Sequence, residues 1–288
     1  MKIAITGATG HFGSLAVESL LKTVPAGDLV VSVRNPDKAS DLKARGVEVR
    51  HGDFDKPETL DVAFAGVDRL LIVSSDGDNE TRIRQHKAAI DAAAKAGVGF
   101  IAYTSVGHAE KSELFLAEVH RVTEEAIRAT GIPYSFLRNN WYMENEIGSI
   151  QGVVAGAPWV TSAGSGKVGW AARGDYAEAA ANVLTGEGHE NTIYELSGKP
   201  LTQEELTGII SGVIGKEIKV LQVDDEAYAK IMAEVGVPEA ALPFVVAIQR
   251  GIREGWLDIE SGDLEKVLNR PVTPLAEVIS DLVNNLQA

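Results

Sequence analysis

The sequence predicts an α/β protein, with a doubly wound parallel sheet followed by a smaller, mostly helical C-terminal part. Short apolar runs alternate with amphipathic helical segments between residues 2 and 138, an alternation typical of parallel strands joined by helices. A glycine-rich turn at residues 7–13 joins the first apolar run to the first helical segment. After residue 138 the alternation gives way to glycine-rich loops and then to helical segments.

The predicted strands are short, and several are apolar throughout, as expected where helices cover both faces of a sheet. Glycine, aspartate, asparagine or serine bounds most of them, and these residue types are common in turns. The predicted strands are residues 2–6, 29–33, 47–51, 69–74, 100–105 and 134–138, with a seventh at 192–196.

Amphipathic segments fill the intervals between these strands. Two of them stop at a glycine, in AKAGV (94–98) and RATGI (128–132), as helices often do before a strand. Thr202 and Glu205 have the spacing of a capping box, and we expect Asp175 to cap its own helix. The predicted helices are residues 11–23, 36–44, 57–64, 80–96, 116–130, 175–184, 201–215 and 273–286, and VDDEAY (223–228) is interpreted as another helix start.

Two domains are expected, and the chain crosses between them more than once. The sheet domain comprises residues 1–138 plus about 174–196, and the smaller domain comprises about 139–173 plus 197–288. The stretch GSGKVG (164–169) follows no convincing strand and lacks the spacing of a phosphate-binding P-loop. It is therefore interpreted as a flexible loop near the cleft between the domains.

The composition argues against several classes of function. The 288 residues include 27 Lys and Arg and 41 Asp and Glu, and the net charge of −14 repels nucleic acid and anionic membranes. Without cysteine there is no disulfide or thiolate metal site, and the histidines show no metal-ligand spacing. No segment resembles a signal peptide or a membrane span, so we expect a cytoplasmic protein without a metal ion.

The turn within ITGATGHFGS (5–14) indicates a dinucleotide site. A strand, a glycine loop and a helix expose backbone N–H groups at the positive end of the helix dipole, where a pyrophosphate binds. Gly7 permits the tight turn, Gly10 permits close approach of the cofactor, and Gly13 permits packing of helix against strand. The alternative is a turn that binds nothing. The context predicts a Rossmann-type domain whose cofactor contacts include Gly7, Ala8, Thr9, Gly10, His11, Phe12 and Gly13.

The residues at the end of the second strand indicate whether the protein binds NAD(H) or NADP(H). NAD-binding proteins usually place an acidic residue there to bind the ribose 2′-hydroxyl, but this chain has Arg34 in VVSVRNPDKAS, followed by Lys38. A guanidinium binds a 2′-phosphate through paired hydrogen bonds, whereas a carboxylate would repel it. Arg34 and Lys38 therefore predict NADP(H), the alternative being that Arg34 is a solvated surface arginine.

The ends of the third and fourth strands supply further candidates. Asp53 can accept a hydrogen bond from the adenine amino group, and Phe54 can flank the ring. Alternatively, Asp53 or Asp55 caps the following helix. Ser74 and Ser75 end the fourth strand, at the edge of the sheet where ligands bind in open α/β folds.

Several longer motifs resemble a known family. ITGATGHFG, VRNPDKA, GVEVRHGDFDKPETL, FIAYTS, GIPYSFLRNNWYMEN and RGDYAEAAANVLT occur in order along essentially the whole chain. Together they resemble the NmrA-like, atypical short-chain dehydrogenase/reductase family, and within it the bacterial NAD(P)H:quinone oxidoreductases and triphenylmethane reductases. The resemblance implies a substrate cleft between the domains. It also implies that NADP(H) contacts Gly7 to Phe12, Arg34, the loop after Ser74, and Arg138, Asn139, Asn140, Trp141, Tyr142 and Met143.

The usual proton-transfer pair of short-chain dehydrogenases is missing. On the helix after the fifth strand, His120 and Glu124 have the spacing of the Tyr-x-x-x-Lys pair. Without a proton acceptor, alcohol oxidation is disfavoured because an alkoxide is too basic to form. A quinone gives a delocalised hydroquinone anion on hydride addition, and a triphenylmethane dye accepts hydride at carbon. Both reactions need mainly the alignment of two flat rings.

These observations predict an NADPH-dependent reductase of quinones or similar flat electrophiles, including triphenylmethane-type dyes, without flavin. An NmrA-like redox sensor that binds NAD(P) and a protein partner without turnover is the alternative, and a homodimer is possible. The alternatives are that Tyr103 is a half-buried strand residue and that His120 is a helix-surface histidine. The catalytic candidates are Tyr103, Ser105 and His120, and the substrate-binding candidates are Trp141, Tyr142 and Asn145.

Overall fold

The computed structural model describes residues 1–287 and confirms the parallel sheet. Seven strands pair in the order β3-β2-β1-β4-β5-β6-β9, and every pairing is parallel. The strands are β1 (Ile3–Thr6), β2 (Leu29–Val33), β3 (Glu48–His51), β4 (Arg69–Ile72), β5 (Phe100–Val106), β6 (Tyr134–Asn139), β7 (Trp159–Thr161), β8 (Lys167–Val168), β9 (Thr192–Leu196), β10 (Leu201–Thr202) and β11 (Val220–Gln222). The strand order reverses between β1 and β4, the position at which ligands bind in open α/β sheets.

The helices follow the predicted pattern in the first half and add detail in the second. They are α1 (His11–Leu20), α2 (Ser40–Ala44), α3 (Glu58–Ala63), α4 (Asn79–Ala96), α5 (Ala117–Ala129), α6 (Ile147–Val154), α7 (Arg173–Thr185), α8 (Gln203–Ile214), α9 (Asp225–Glu234), α10 (Leu242–Arg253), α11 (Asp263–Leu268) and α12 (Leu275–Gln287). Short 3-10 turns precede some of them, including Pro36–Ala39 before α2 and Met143–Glu146 before α6. No helix among residues 1–287 has the length and apolar character needed to cross a membrane.

Helices cover both faces of the seven-stranded sheet. On one face α1 and α7 pack on the strands and bury residues such as Val17 and Ala180. On the other face α3, α4 and α5 bury Leu60, Ile90 and Ile127. Each fully buried aliphatic side chain of this size contributes about 1.5–3 kcal/mol of transfer free energy, so both faces contribute to stability.

A third hydrophobic core holds the later elements together. It contains Trp159, Trp170 and Ile210, and α12 adds Ile279. The helix α11 leaves this core and packs its apolar side on the sheet domain beside α7. The division of the chain into two domains, at residues 138, 174 and 196, remains a prediction.

The structure corrects three local expectations. Asp175 does not cap its helix, because α7 begins at Arg173 and the Asp175 carboxylate accepts hydrogen bonds from Arg270 (2.7 Å) and Thr273 (2.8 Å). The stretch 164–169 is not entirely a loop, since part of it forms β8 and pairs with β10. The third correction concerns the glycine-rich segment 139–173, in which no strand was predicted. It contains the strand β7 as well as the helix α6. The capping box of α8 is confirmed, and so is a helix start at 223–228, where Asp224 caps α9.

Candidate active site

The glycine turn is tightly packed against the start of α1. Gly7 has φ +63°, a conformation that favours glycine, and its carbonyl accepts a hydrogen bond from the Gly10 N–H at 2.9 Å. A Cβ added at Gly13 would lie 2.2 Å from the Gly7 oxygen. The loop therefore tolerates no side chain at Gly13, and α1 begins directly beside the end of β1.

The open side of this turn presents backbone groups to the cleft. Thr9, Gly10 and His11 are exposed, whereas Ala8 and Phe12 are buried beneath them. Gly10 is the N-cap of α1, and no side chain caps the helix. The first N–H groups of α1 are thus available to a phosphate, as the sequence predicts.

Arg34 and Lys38 lie beyond the end of β2, and both are exposed. Among residues 1–287 neither side chain lies within 4.0 Å of a carboxylate. Asn35 caps the following turn by accepting a hydrogen bond from the Asp37 N–H at 3.0 Å, so Asp37 belongs to the start of this turn. Both cations are free to meet an added phosphate.

Asp53 and Phe54 are half-buried after β3. The Asp53 carboxylate accepts a hydrogen bond from the Asp55 N–H at 3.0 Å, and the Asp53 N–H donates to the Thr59 hydroxyl at 2.9 Å. Neither aspartate caps α3, which has Pro57 at its N-cap without a side-chain bond. The capping alternative is therefore wrong, and Asp53 instead shapes the loop after β3.

The segment after β6 brings an aromatic ring to the glycine turn. The Tyr142 ring stacks with Phe12 at 6.2 Å between centroids, and Arg173 of α7 lies 5.2 Å over its face. Asn139 donates a hydrogen bond to the Tyr142 hydroxyl at 3.0 Å. Burial raises the pKa of Tyr142 to about 12, so its hydroxyl stays protonated. Tyr176 packs edge-on against the same ring.

Two amide oxygens in this segment are buried without a hydrogen-bond partner, namely Oδ1 of Asn139 and Oδ1 of Asn140. Asn140 donates its amide N–H groups to the Ser197 hydroxyl and the Leu257 carbonyl, both at 3.0 Å, and so holds the end of β9. A buried acceptor without a donor costs free energy, so the Asn139 oxygen fits a ligand N–H such as a carboxamide.

Two neighbours in the predicted cofactor stretch face away from the cleft, which corrects the prediction. The Arg138 guanidinium is 2% exposed and forms ion pairs with Glu124 (2.8 Å), Glu195 (2.9 Å) and Glu110. Burial opposes its charge, but the bonds to Glu124 and Glu195 outweigh burial and raise the pKa of Arg138. Met143 is fully buried in the third core, and its N–H donates to Ala171.

Trp141 and Asn145, the predicted substrate contacts beside Tyr142, lie at the border of this segment. The Trp141 indole donates to Glu146 at 3.0 Å, and the Trp170 indole donates to the same oxygen at 3.1 Å. Burial raises the pKa of Glu146, although both indoles oppose that effect. Asn145 is exposed and accepts a weak hydrogen bond from Arg173 at 3.4 Å. Trp141 therefore packs against the third hydrophobic core, whereas Asn145 lies at the surface.

The three predicted catalytic groups lie in the interior, on the α5 side of β5. Tyr103 has no exposed surface, and its hydroxyl pairs with Nδ1 of His120 at 2.8 Å. Ser105 is buried and donates to Glu124 at 2.7 Å. Because Tyr103 and Ser105 are two residues apart on a strand, they share the face that α5 covers. Direct contact of Tyr103, Ser105 or His120 with a substrate is therefore contradicted by their burial.

His86 of α4 supports the loop that follows β4. The Ser75 N–H donates to Nε2 of His86 at 3.0 Å, and Nδ1 of His86 faces the Thr123 hydroxyl at 2.9 Å. Burial, with a smaller contribution from the charge of Arg82, lowers the pKa of His86 to about 3, so the ring is neutral. Ser74 and Ser75 are half-buried at the edge of the sheet, as predicted.

Sequence reasoning missed four residues that build this region: Arg82, His86, Arg173 and Tyr176. Arg82 and His86 are four positions apart on α4 and share one helix face, which is a detectable signal. Arg173 and Tyr176 belong to RGDYAEAAANVLT, but only their packing on Tyr142 indicates a role.

A groove with a volume of about 930 Å³ lies elsewhere, between α3 and α4. Its lining is dominated by exposed charged residues such as Glu80, Lys87 and Asp91, and the glycine turn does not contribute to it. Because neither the glycine turn nor Tyr142 lines this groove, we do not assign it to the site.

The sequence pattern of the NmrA-like family matches residues 1–250. Quinone oxidoreductase 2 of Escherichia coli is 41% identical, with 98% of this chain and 99% of that protein covered. Two solved structures have a TM-score of 0.93. They are Citrobacter sp. triphenylmethane reductase complexed with NADP(H), 44% identical over 98% and 100% of the two chains, and NADPH-dependent quinone oxidoreductase of E. coli complexed with NADPH, 40% identical over 98% and 99%. The chain therefore belongs to the NmrA-like family.

Proposed function

We propose that this protein is an NADPH-dependent reductase that transfers hydride directly to quinones or similar flat electrophiles, including triphenylmethane-type dyes, without flavin. The observation that carries the proposal is the burial of Tyr103, Ser105 and His120, which leaves none of them to exchange a proton with a substrate. Acceptors that need no strong acid fit such a site. The relatives named above are a quinone oxidoreductase and a dye reductase.

The residues at the glycine turn fit NADP(H). The N–H groups of His11 and Phe12 bind the pyrophosphate, because they are the first N–H groups of a helix that no side chain caps. Arg34 and Lys38 bind the 2′-phosphate, since both are exposed cations without an ion-pair partner within residues 1–287. Bound NADPH supplies a hydride of two electrons and one proton.

Residues on the other side of the crossover hold the nicotinamide half. The unpaired oxygen of Asn139 accepts from its carboxamide, and Tyr142 forms a wall beside Phe12. Asp53 and Phe54 border the adenine. Arg138 and Met143 support the segment from behind, and Trp141 and Asn145 border the acceptor. Tyr103, Ser105 and His120 act as supporting residues under the sheet edge.

Other expectations stay predictions: a cytoplasmic location, a homodimer and the exclusion of nucleic acid. The redox-sensor alternative receives no support from the relatives reported above. It predicts tight NADPH binding without turnover of any acceptor, together with a protein partner that distinguishes the two redox forms.

The proposal is tested by NADPH consumption, followed by its near-ultraviolet absorbance, with benzoquinone, a naphthoquinone and malachite green. We expect enzyme-dependent turnover with a preference for NADPH over NADH. Reactions without enzyme serve as controls, because quinones oxidise NADPH slowly by themselves. Tight NADPH binding without turnover on any acceptor would contradict the proposal and favour the sensor.

A further inference from the structure

Arg82 is a buried cation for which the described part of the chain supplies no carboxylate. The residue is 7% exposed, and no acidic oxygen among residues 1–287 lies within 4.0 Å of its guanidinium. Its Nε has no hydrogen-bond partner. Arg138, equally buried, contacts three glutamates. Because an unpaired buried charge is costly, Arg82 indicates an anionic partner that the chain does not contain.

The groups around Arg82 leave its charge uncompensated. His120 lies 3.4 Å from Nη2, and burial, together with the charges of Arg82 and His86, lowers the pKa of His120 well below its usual value. His86 is neutral for the same reasons. The exposed Asp76 acts on the guanidinium only from a distance. Burial lowers the pKa of Arg82, but an arginine retains its proton in proteins.

The charge of Arg82 is directed at Ser74. Nη2 of Arg82 donates to the Ser74 hydroxyl oxygen at 2.8 Å, and the Ser74 N–H donates to Thr104 at 2.9 Å. The Ser74 hydroxyl is 3.5 Å from Nε2 of His86, which already accepts from the Ser75 N–H at 3.0 Å. The Ser74 hydroxyl therefore keeps its own proton available for another acceptor.

Ser74 lies at the crossover of the sheet, where the proposed function places the nicotinamide and its acceptor. It follows β4 at the crossover, and the preceding Val73 faces the glycine turn, 3.5 Å from where a Cβ on Gly7 would lie. The side chain is half-exposed. The adenosine half of the cofactor belongs on the β2 side with Arg34, so the nicotinamide half belongs on the β4–β6 side.

We propose that Ser74 donates a hydrogen bond to the quinone oxygen that becomes negatively charged, and that Arg82 is the positioning residue that orients and polarises this hydroxyl. The inference rests on the proposed function. Hydride addition oxidises NADPH to NADP⁺ and converts the quinone to its hydroquinone monoanion. Water then supplies the second proton, and Ser74 keeps its own. Donors preorganised for developing charge act mainly on kcat.

A triphenylmethane dye provides the discriminating comparison. The dye is a cation that accepts hydride at its central carbon and becomes neutral, so none of its atoms develops a negative charge for a hydrogen bond to stabilise. Loss of the Ser74 hydroxyl or of the Arg82 charge should therefore slow quinone reduction and spare dye reduction. A purely structural role for either residue would impair both reactions equally.

The experiment compares Ser74→Ala, Arg82→Gln, Arg82→Lys and the double variant Ser74→Ala/Arg82→Gln, with Lys87→Gln as control on the exposed face of α4. Readouts are kcat and KM with benzoquinone, kcat with malachite green, and the NADPH Kd. We expect Ser74→Ala and Arg82→Gln each to lower kcat for benzoquinone about ten- to hundredfold, with KM changed little. The double variant should be no slower than Ser74→Ala, and Arg82→Lys should recover part of the loss.

Under the proposal, dye turnover and NADPH Kd stay within about twofold of the wild type. Equal losses on both acceptors, a matching loss of NADPH affinity, or additive effects in the double variant would overturn the proposal. Full activity of Ser74→Ala on benzoquinone would also overturn it. If Arg82→Gln does not fold, the activities of Ser74→Ala and Arg82→Lys on the two acceptors still test the proposal. A wild type inactive on both acceptors would instead refute the proposed function.

Discussion

At the scale of single residues, the site depends on which charges the chain leaves uncompensated. Arg34 and Lys38 are exposed without an ion pair among residues 1–287, whereas Arg138 is enclosed by glutamates. The sequence distinguishes Arg34 from an acidic residue and so predicts the nucleotide. The sequence does not reveal that Arg138, although it lies in one of the family motifs, forms buried ion pairs inside the protein.

Arg34→Glu should weaken NADPH binding about ten- to hundredfold and leave NADH binding within a few-fold, because a carboxylate repels the 2′-phosphate that a guanidinium binds. The measurement is the Kd of each nucleotide by titration. Lys43→Glu, on exposed α2, makes the same change of charge away from the turn and is the control. Equal weakening of NADPH binding and NADH binding would show that Arg34 does not bind the 2′-phosphate.

Arg138→Met should destabilise the fold by about 3–5 kcal/mol, since it leaves Glu124 buried without its partner. The combined variant Glu124→Gln/Arg138→Met should recover part of this loss. Urea unfolding measures both changes. An Arg138→Met protein of wild-type stability but greatly reduced NADPH affinity would instead place Arg138 at the cofactor.

At the scale of elements, the regular parts were predictable and the short pairings were not. The first six strands were predicted because five of them are largely apolar runs and the sixth, β3, follows the helical segment before it after a glycine. β7 was missed, since its three residues pair with β11 some sixty positions later. Asp175 has the residue type of a cap, but Arg270 and Thr273 engage its carboxylate. Long-range partners of this kind leave no local signal.

The contact of α1 with β1 gives the next prediction. Gly13→Ala should lower the free energy of unfolding by about 1–3 kcal/mol and weaken NADPH binding, because its Cβ would lie 2.2 Å from the Gly7 oxygen. Urea unfolding and NADPH titration provide the measurements. Gly208→Ala, in the interior of α8 with open space around it, should be neutral or stabilising by about 0.5–1 kcal/mol. Tolerance of alanine at Gly13 would disprove the tight packing.

At the scale of the whole molecule, the parallel sheet with helices on both faces followed from the sequence, but the direction in which individual side chains point did not. Tyr103 and Ser105 end a strand at the predicted edge, yet both point towards α5. A strand that helices cover on both sides is apolar throughout, so its pattern does not tell which face a polar residue takes. The burial of the three catalytic candidates was therefore not predicted, and the role of the glycine turn as the cofactor loop stays a prediction.

The buried histidines make the stability of the whole molecule depend on pH. Burial lowers the pKa of His86 from 6.5 to about 3, so the unfolded chain binds a proton that the folded protein rejects. This contribution is full above about pH 6.5 and is lost as the pH falls towards 3. Each such histidine adds a slope of about 1.4 kcal/mol per pH unit. Urea unfolding at pH 7 and pH 5 tests this, with a smaller slope expected for His86→Asn. An unchanged slope would contradict the neutral buried ring.

The central claim is direct hydride transfer from NADPH to the acceptor, and isotope transfer to malachite green tests it most directly. NADPH deuterated at nicotinamide C4, in each of its two stereochemical forms, is the donor in ordinary water, and mass spectrometry of the leuco dye is the readout. The account predicts one deuterium on the central carbon from one of the two forms, because that C–H bond does not exchange with water. Leuco dye without deuterium from either form would contradict direct transfer and indicate a carrier that exchanges with solvent.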